Sequence, residues 1–454
     1  MQAAVSGHPT VALWQQLQAV AQALVQVRQG TSASVVVAAV PAPLRAGVQA
    51  LLFQVLRQLG RAQALRAQLA HRAPPPLADA LLCAALALAW RDEGAPYAPH
   101  TLVNQAVEAA KKSKRLRAQA NFLNACLRRF LRERDALVQA THNDVQAVWN
   151  HPAWWVQRLQ HDYPAHWQSI LQVSNQPAPM TLRVNTKKIA REQLQQQWLA
   201  HGLVAQTVGD YGLVLAQPRA VHDIPGFAEG LCSVQDAAAQ YAAPCLLQGL
   251  TPPTSQVGNS DGLRVLDACA APGGKTAHLL ELLGPHDQVL ALDIDPVRCE
   301  RIAQNLQRLQ LQAQVVVADA GQPQSWWDGQ PFDAILLDAP CTASGIVRRH
   351  PDVRWLRRES DSAQLAQVQL HLLQTLWPLL KPGGRFLYCT CSVFKLEGEL
   401  PVKAFLQHNT DARLCPSVGH LRPQNSDVDA ALADNLVGDH DGFYYALLEK
   451  VLPT

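Results

Sequence analysis

The sequence predicts a multidomain protein of the α and α/β classes, with a helical N-terminal bundle, a small α/β middle module and a doubly wound C-terminal domain. Three observations predict this fold class. The chain has 454 residues, which is too long for one ordinary hydrophobic core. Its first third has helical periodicity and few β-branched runs, and its last part repeats strand, turn and helix.

The N-terminal bundle is predicted over residues 1–148. Apolar residues recur at helical spacing in two stripes and then form a nearly uninterrupted apolar run at 77–90, after the break at 74–76. The stripes are Leu13, Leu17, Val20 and Leu24, and then Leu51, Val55, Leu56 and Leu59. Further helices are expected at 101–111 and 121–134.

The middle module is predicted over residues 149–255, beginning near His151 and Pro152. Residues 154–171 have a helical pattern, 180–185 alternate like a strand, and 204–216 and 231–234 contain further short extended segments. Residues 252–262 are rich in Pro, Ser and Gly, which indicates a linker or loop.

Residues 256–454 alternate between strand and helix patterns, which favours a doubly wound, largely parallel, Rossmann-like sheet. Ligands of such sheets bind at the carboxyl ends of the strands. The predicted strands are 264–267, 288–293, 313–318, 333–337 and 385–389, and the predicted helices are 276–283, 296–309 and 364–380.

Composition excludes several classes of protein. No stretch approaches the roughly 20 apolar residues that a membrane span needs, and residues 1–10 lack the pattern of a secretory signal. The ten cysteines form no C-x-x-C pair, so reduced thiols in the cytoplasm are expected, and no metal site is predicted. The net charge of +3 does not by itself indicate nucleic acid, but the basic residues are clustered.

The segment DACAAPGGK, residues 267–275, follows the first strand of the C-terminal domain. Gly273 and Gly274 permit close approach of the backbone to a ligand, and the helix that follows offers unpaired N–H groups. The G-x-G-x-x-G dinucleotide fingerprint is absent, and Cys269 occupies a position where a Walker A loop needs glycine. An ordinary Gly-rich turn remains the alternative.

Aspartates end two further strands. Asp293 is placed to accept both hydroxyls of a ribose, and Asp319 to accept from an adenine amino group. A lone aspartate after a strand is more often a turn former or helix cap, which is the interpretation we give Asp295. Recurrence at successive strand ends favours the ligand-binding interpretation for the other two.

Two cysteines follow strands in the segments DAPCTASG, residues 338–345, and TCS, residues 390–392. A buried cysteine is usually inert packing. Cys341 and Cys391 fit that alternative poorly, because both are expected at the same edge of the sheet and Asp338 flanks the first.

The motifs DACAAPGGKT, LDID, VVADA, LLDAPCTASGIVRRHPDVRW and YCTCSV resemble, in this order, those of the Sun/NOP family of RNA cytosine-C5 methyltransferases. The resemblance covers nearly the whole chain, including HPAWWVQRLQ, NQPAPMTLRVN, IPGFAEGLCSVQDAAAQ and DGFYYA. Family members that act on bacterial 16S ribosomal RNA carry an N-terminal domain similar to the antitermination factor NusB. The resemblance implies 16S ribosomal RNA, before full subunit assembly, as the substrate.

The resemblance also implies the roles of individual residues. Cys391, in the Thr-Cys motif, is the implied nucleophile, and Cys341, in the Pro-Cys motif, assists product release. The implied S-adenosyl-L-methionine site consists of Cys269, Ala270, Ala271, Pro272, Gly273, Gly274, Lys275, Asp293, Asp319 and Asp338. Cys389 departs from the family pattern, and because residues i and i+2 of a strand share a face, it is expected to complicate thiol labelling or to form a disulfide on oxidation.

This chemistry accounts for the residue types. C5 of cytosine is a poor nucleophile, and attack of a thiolate at C6 converts the ring to an enamine that accepts a methyl group at C5. A carboxyl group such as Asp338 near N3 would stabilise the developing charge. A base must then remove the C5 proton before the thiol can leave.

Basic residues cluster in two places. Arginines with an interspersed histidine and tryptophan follow the Pro-Cys motif, a composition expected for an RNA groove; they are Arg348, Arg349, Arg354, Arg357 and Arg358. A second run occupies residues 111–117 and continues at Arg128, Arg129, Arg132 and Arg134. The alternative for both is a solvated helical face.

Two other functions remain open at this point. A transfer RNA cytosine-C5 methyltransferase would share every catalytic residue, and the choice of ribosomal RNA depends on the NusB-like domain, which is an analogy of fold. A non-catalytic RNA-binding or antitermination protein is disfavoured, because it would need neither cysteine and none of the cofactor aspartates.

Overall fold

The structure is a computed structural model, and it describes residues 11–250, 262–424 and 438–451. Most of the predicted linker at 252–262 lies outside the described residues. The helices are α1 (Leu13–Arg28), α2 (Ala33–Ala38), α3 (Ala42–Arg57), α4 (Leu59–Leu69), α5 (Pro76–Ala89), α6 (Pro99–Lys112), α7 (Ala120–Gln139), α8 (Val145–Trp149), α9 (Ala153–Asp162), α10 (Trp167–Ser174), α11 (Arg191–Ala200), α12 (Ala242–Leu247), α13 (Gly274–Leu282), α14 (Pro296–Leu309), α15 (Val353–Leu356), α16 (Glu359–Leu376) and α17 (Glu399–His408). The strands are β1 (Met180–Val184), β2 (Ala205–Val208), β3 (Gly212–Leu215), β4 (Cys232–Val234), β5 (Arg264–Ala268), β6 (Gln288–Asp293), β7 (Gln314–Val317), β8 (Phe332–Asp338), β9 (Leu380–Thr390), β10 (Ala412–Leu421) and β11 (Phe443–Lys450).

The chain divides into two compact units, and the first is helical. It contains the chain up to Gln176 together with Val347–Arg357, so α15 joins α1 to α10. Helix α5 is its central element: Pro76 occupies the first turn, where its missing N–H costs nothing, and every residue from Ala78 to Ala89 is buried. The predicted all-helical N-terminal bundle is confirmed.

The helical pattern predicted at 154–171 is present, and it is divided between two helices. The segment folds as α9 and α10, with a break between Asp162 and Trp167. Pro164 lies in the break. Proline interrupts the helix there because it lacks the N–H that a continuous helix would use.

The second unit contains Pro177–Ile346 and Arg358–Thr454, and it holds two sheets. The smaller sheet has the strand order β2-β3-β1-β4 with antiparallel pairing throughout, and α11 joins β1 to β2. Its buried face is apolar and includes Leu182, Val184 and Leu213, which pack with Trp198 of α11. The extended segments predicted in the middle module are these strands.

The larger sheet has seven strands in the order β10-β11-β9-β8-β5-β6-β7. Strands β9, β8, β5, β6 and β7 are parallel, as predicted, whereas β11 pairs antiparallel with β9, and β10 pairs antiparallel with β11. The chain runs from β5 outward to β7 and then returns to β8 on the other side of β5. This switch in strand order creates a crevice at the carboxyl ends of β5 and β8, where ligands of such sheets bind.

Buried side chains join the two sheets of the second unit. Arg183 of β1 donates two hydrogen bonds of 2.8 Å to Glu281 of α13, and both side chains are almost inaccessible to solvent. Arg308 of α14 donates to the carbonyls of Phe227 and Cys232. Hydrogen bonds compensate the burial of these charges, so the smaller sheet is fixed to the larger one.

Within the described residues, no helix is both long and apolar enough to cross a membrane. The same part of the chain contains no group of three or more His, Cys, Asp or Glu side chains arranged to hold a metal ion.

Candidate active site

The predicted site residues of the second unit lie where five parallel strands end. The segment from Asp267 follows or ends β5, Asp293 ends β6, and Asp319 follows β7. Asp338 ends β8 and lies opposite Cys389 of β9 in the strand register. These residues therefore meet at one edge of the sheet, which is the edge where the crevice opens.

The Gly-rich loop has a backbone that its sequence helps to permit. Gly273 has φ +91° and a Cβ there would lie 3.2 Å from the Cα of Ile302, so a side chain would be both strained and crowded. Cys269 also adopts a positive φ of 63°. Helix α13 begins at Gly274, whose carbonyl accepts 2.9 Å from Arg183. The loop is thus held against the sheet.

Asp293 is 3% exposed, and backbone N–H groups orient its carboxylate. The Ala271 N–H donates a hydrogen bond to one oxygen and the Asp295 N–H donates one to the other, and each has a length of 3.1 Å. A carboxylate has about four lone-pair sites, so Asp293 retains acceptor capacity for ligand hydroxyls. Asp295 accepts from the N–H groups of Val297 and Arg298 and caps α14, as predicted.

Asp319 is half-buried, and it accepts 2.8 Å from the Gly321 N–H and 3.2 Å from the Gln322 side chain. An apolar residue that the sequence analysis did not consider, Ile294, follows Asp293 and is 66% exposed. The sequence signal that could have pointed to this residue is an isoleucine between two aspartates at a strand end.

The strand-end carboxylates fit the cofactor that the resemblance implies. Asp267 is fully buried and accepts 2.6 Å from the Thr276 hydroxyl, while its Oδ1 has no partner among the described residues. Burial raises the pKa of Asp267 to about 7. An unsatisfied buried acceptor beneath a glycine loop suits a ligand that carries donors.

Lys275 connects the loop to the cysteine side of the site. Its Nζ donates 2.6 Å to Oδ2 of Asp338 and lies 5.4 Å from the ring centre of Phe443. Burial is the largest single influence and would lower the pKa of Lys275. The charge and hydrogen bond of Asp338, together with Cys389 and Cys391, outweigh burial, and the net shift is upward. Asp338 is therefore held beside a permanent positive charge.

The two predicted cysteines are adjacent. The Sγ atoms of Cys341 and Cys391 are 3.4 Å apart, and both residues are partly exposed. The hydrogen bond with Cys391, together with burial, raises the pKa of the Cys341 thiol well above its ordinary value. Cys341 therefore stays protonated and can donate a hydrogen bond to the sulfur of Cys391.

The arginines that follow Cys341 require a correction. Arg354 is fully buried within the first unit and donates to the carbonyls of Asn150 and Ser174 and to the Asn175 side chain. Burial lowers its pKa to about 9. Arg348 is 1% exposed, and its carbonyl accepts from Arg57. Neither guanidinium is available to a phosphate, so the prediction of RNA contacts was wrong for these two. Arg349 and Arg357 are half-buried and Arg358 is exposed.

Three family profiles match successive parts of the chain. Residues 15–132 match the NusB family, residues 151–222 match the ferredoxin-like domain of RsmF/B-like methyltransferases, and residues 256–449 match the 16S rRNA methyltransferases RsmB/F. Together they cover most of the sequence, and they follow one another in the order of the helical bundle, the smaller sheet and the larger sheet.

Curated relatives are similar along most of their length. The chain is 45% identical over 358 residues to ribosomal RNA small subunit methyltransferase B of Vibrio cholerae serotype O1, covering 77% of each protein. The protein of the same name from Serratia proteamaculans is 41% identical over 355 residues, covering 78% of each.

Solved structures share the fold. The crystal structure of PH0851 matches with a TM-score of 0.71 at 24% identity, covering 96% of this chain and 99% of that one. NSun6 from Pyrococcus horikoshii, solved with SFG, matches with a TM-score of 0.54 at 18% identity, covering 66% and 99%. Since the relatives exceed 40% identity over more than two thirds of the sequence, the chain belongs to the RsmB/F family of methyltransferases.

Proposed function

We propose that this enzyme methylates C5 of a cytosine in 16S ribosomal RNA, through a covalent bond between Cys391 and C6 of the base. The observation that carries the proposal is the pair of thiols, 3.4 Å apart, next to Asp338 at the carboxyl edge of the sheet. The names of the curated relatives support ribosomal RNA as the substrate class.

The residues of the cofactor edge have assigned roles in this proposal. S-adenosyl-L-methionine, when bound, supplies an electrophilic methyl group. Asp293 accepts from the ribose hydroxyls, Asp319 from the adenine amino group, and the loop from Cys269 to Lys275 lines the rest of the site. Ile294 would contact the adenine through its apolar side chain. The backbone of the loop would approach the ligand at Ala270, Ala271, Pro272, Gly273 and Gly274.

The residues of the cysteine edge act on the base. The Cys391 thiolate forms a bond to C6, and the C5–C6 π electrons become available for a new bond at C5. Asp338, held by Lys275, is assigned to accept hydrogen bonds from the exocyclic amine and from N3, once N3 takes a proton from solvent as charge develops on it. Once Cys391 is bonded to C6 it no longer accepts a hydrogen bond from Cys341, and the Cys341 proton passes to solvent. After methylation the Cys341 thiolate takes the proton from C5, and the C6–Sγ bond breaks to restore the aromatic ring and the Cys391 thiolate.

Two substrates distinguish the proposal from its main alternative. Purified enzyme should transfer labelled methyl groups to 16S ribosomal RNA transcripts and not to transfer RNA, and bisulfite sequencing should locate one protected cytosine. The same sequencing of RNA from cells that lack the gene should find that cytosine unprotected. Protection restored equally by wild type and Cys391→Ala would contradict the mechanism, and modification of transfer RNA alone would contradict the substrate. Parallel assays with free RNA and assembled subunits test whether the enzyme acts before full assembly.

A further inference from the structure

A buried glutamate lies behind the two cysteines. Glu397 has no exposed surface and ends a short turn that follows Cys391. Its Oε1 accepts a hydrogen bond of 2.7 Å from the Thr342 N–H. Its Oε2 accepts hydrogen bonds of 2.5 Å from the Thr342 hydroxyl and 2.6 Å from the Ser392 hydroxyl. A buried carboxylate is tolerated when it is hydrogen-bonded in this way.

These donors belong to the two cysteine loops. Thr342 follows Cys341 in the chain, and Ser392 follows Cys391. One carboxylate therefore holds the neighbour of each thiol, although the loops come from different strands. The backbone of Glu397 is held as well, since its carbonyl accepts 2.8 Å from the hydroxyl of Tyr388 in β9.

Further contacts join the same two loops. The hydroxyl oxygens of Ser344 and Ser392 are 2.7 Å apart. The Val393 N–H donates a hydrogen bond of 3.0 Å to the Ser344 hydroxyl, and the Gly345 N–H donates one of 2.9 Å to the Cys391 carbonyl. Ala343 has φ +60°, a conformation that a residue with a side chain adopts only when its surroundings impose it. The Cys341 loop thus depends on partners supplied by the Cys391 loop.

We infer that Glu397 is a positioning residue that holds the Cys341 and Cys391 sulfurs at the separation required for attack and release. The inference rests on the proposed function for the roles of the thiols, but the positioning itself concerns only their geometry. The charge of Glu397 acts together with the larger contributions from Cys391 and from burial to raise the pKa of Cys341. Loss of the carboxylate should therefore loosen the pair and weaken Cys341 as a base.

The test measures thiol geometry separately from catalysis. Oxidised glutathione converts two adjacent thiols to a disulfide and is reduced to two glutathione thiols, so the equilibrium gives an effective concentration for the pair. Peptide mass spectrometry identifies the Cys341–Cys391 disulfide and the mixed disulfides with glutathione. We expect Glu397→Ala to lower the effective concentration at least tenfold and to accumulate mixed disulfides.

The variants form a graded series. Thr342→Val removes one donor while keeping the side-chain shape, Glu397→Gln keeps the shape without the charge, and both should give smaller losses than Glu397→Ala. Glu399→Gln is the matched control, because the carboxylate of Glu399 lies 3.6 Å from the ammonium of Lys403 on the following helix α17. Single-turnover methylation should fall in the same order, with cofactor affinity unchanged.

The outcomes separate the two hypotheses. An unchanged effective concentration in Thr342→Val and Glu397→Gln, both folded, would overturn the positioning role even if methylation is normal. A lowered effective concentration in an enzyme whose wild type never methylates cytosine would support positioning and contradict the proposed function. If Glu397→Ala does not fold, the other two variants still decide the question.

Discussion

The two active-site thiols have the same side chain but different surroundings. Cys341 is hydrogen-bonded to Cys391, and its loop is held by the contact between Thr342 and Glu397. The hydrogen bond to Cys391 and burial raise the pKa of Cys341. A thiol that keeps its proton is a poor nucleophile but becomes a strong base once ionised. This asymmetry supports nucleophilic attack by Cys391 and proton removal by Cys341.

Replacing Cys391 by alanine should abolish turnover and leave affinity for S-adenosyl-L-methionine within about twofold. The proposed nucleophile is lost, whereas Asp293, Asp319 and the Gly-rich loop, which are assigned to the cofactor, lie at the ends of β6, β7 and β5. Single-turnover methylation and calorimetric titration measure the two effects. Cys415→Ala is the control, since Cys415 of β10 contacts Glu449 instead of the site. Methylation by the Cys391 variant would remove this residue as the nucleophile.

Replacing Cys341 by alanine should trap the enzyme on its RNA. The Sγ–C6 bond forms and the methyl group is transferred, but the C5 proton remains and β-elimination stalls. A denaturing gel should then show a slower protein–RNA band. The band must disappear in the double variant with Cys391→Ala, and its absence from the single variant would contradict a role in release.

Cys389 is a further thiol near Cys341 and Cys391, and its neighbours explain why it differs from these two. It is fully buried, and its Sγ lies 3.6 Å from Oδ1 of Asp338. Burial, reinforced by the Asp338 charge, raises its pKa well above the ordinary value. A buried protonated thiol reacts slowly, so the expected interference with thiol labelling has little physical support.

At the scale of elements, α15 shows how a basic motif can be structural. Arg354 lies within this four-residue helix and joins it to the ends of α8 and α10. Trp355 donates 2.8 Å to the Leu56 carbonyl in α3. Arg354 and Trp355, which suggested RNA binding in the sequence, instead attach α15 to the other helices of the first unit.

Arg354→Ala should therefore reduce stability more than it alters RNA binding. Removal leaves two buried carbonyls without their donor, and the loss of buried charged hydrogen bonds costs on the order of 3 kcal/mol. Urea unfolding measures this loss, and Arg358→Ala, at an exposed position, should cause little change. A stable Arg354 variant with weaker RNA binding would restore the original interpretation.

Sequence patterns predicted the parallel strands well because buried strands and amphipathic helices have distinct periods. Strand β6 and helix α14 have the predicted bounds. The antiparallel strands β10 and β11 were not predicted, because β10 is mostly half-exposed and β11 is buried along most of its length, so neither alternates. Glu397 was not predicted either, since its role depends on contact with Thr342, which is 55 positions away in the chain.

At the scale of the whole molecule, the bundle's basic residues separate into two groups. Arg129 is paired with Glu133, and Arg134 forms two hydrogen bonds with Asp92. Lys111, Lys114 and Arg115 are exposed and have no ion pair among the described residues, while Lys112 has a longer contact with Glu108. The group at 111–115 therefore presents largely uncompensated charge to a polyanion.

Replacing Lys111, Lys112, Lys114 and Arg115 by alanine should flatten the salt dependence of RNA binding. Each phosphate contact to single-stranded RNA contributes about 0.7 to the slope of log affinity against log salt, so the change should approach about 3 if all four contacts form. Cofactor affinity, which belongs to the second unit, should remain unchanged. The matched control replaces Arg129 and Arg134, whose charges are already compensated, and should change the slope by less per residue. Equal slopes for the wild type and the 111–115 variant would mean that this run is a solvated helical face and that RNA is held elsewhere.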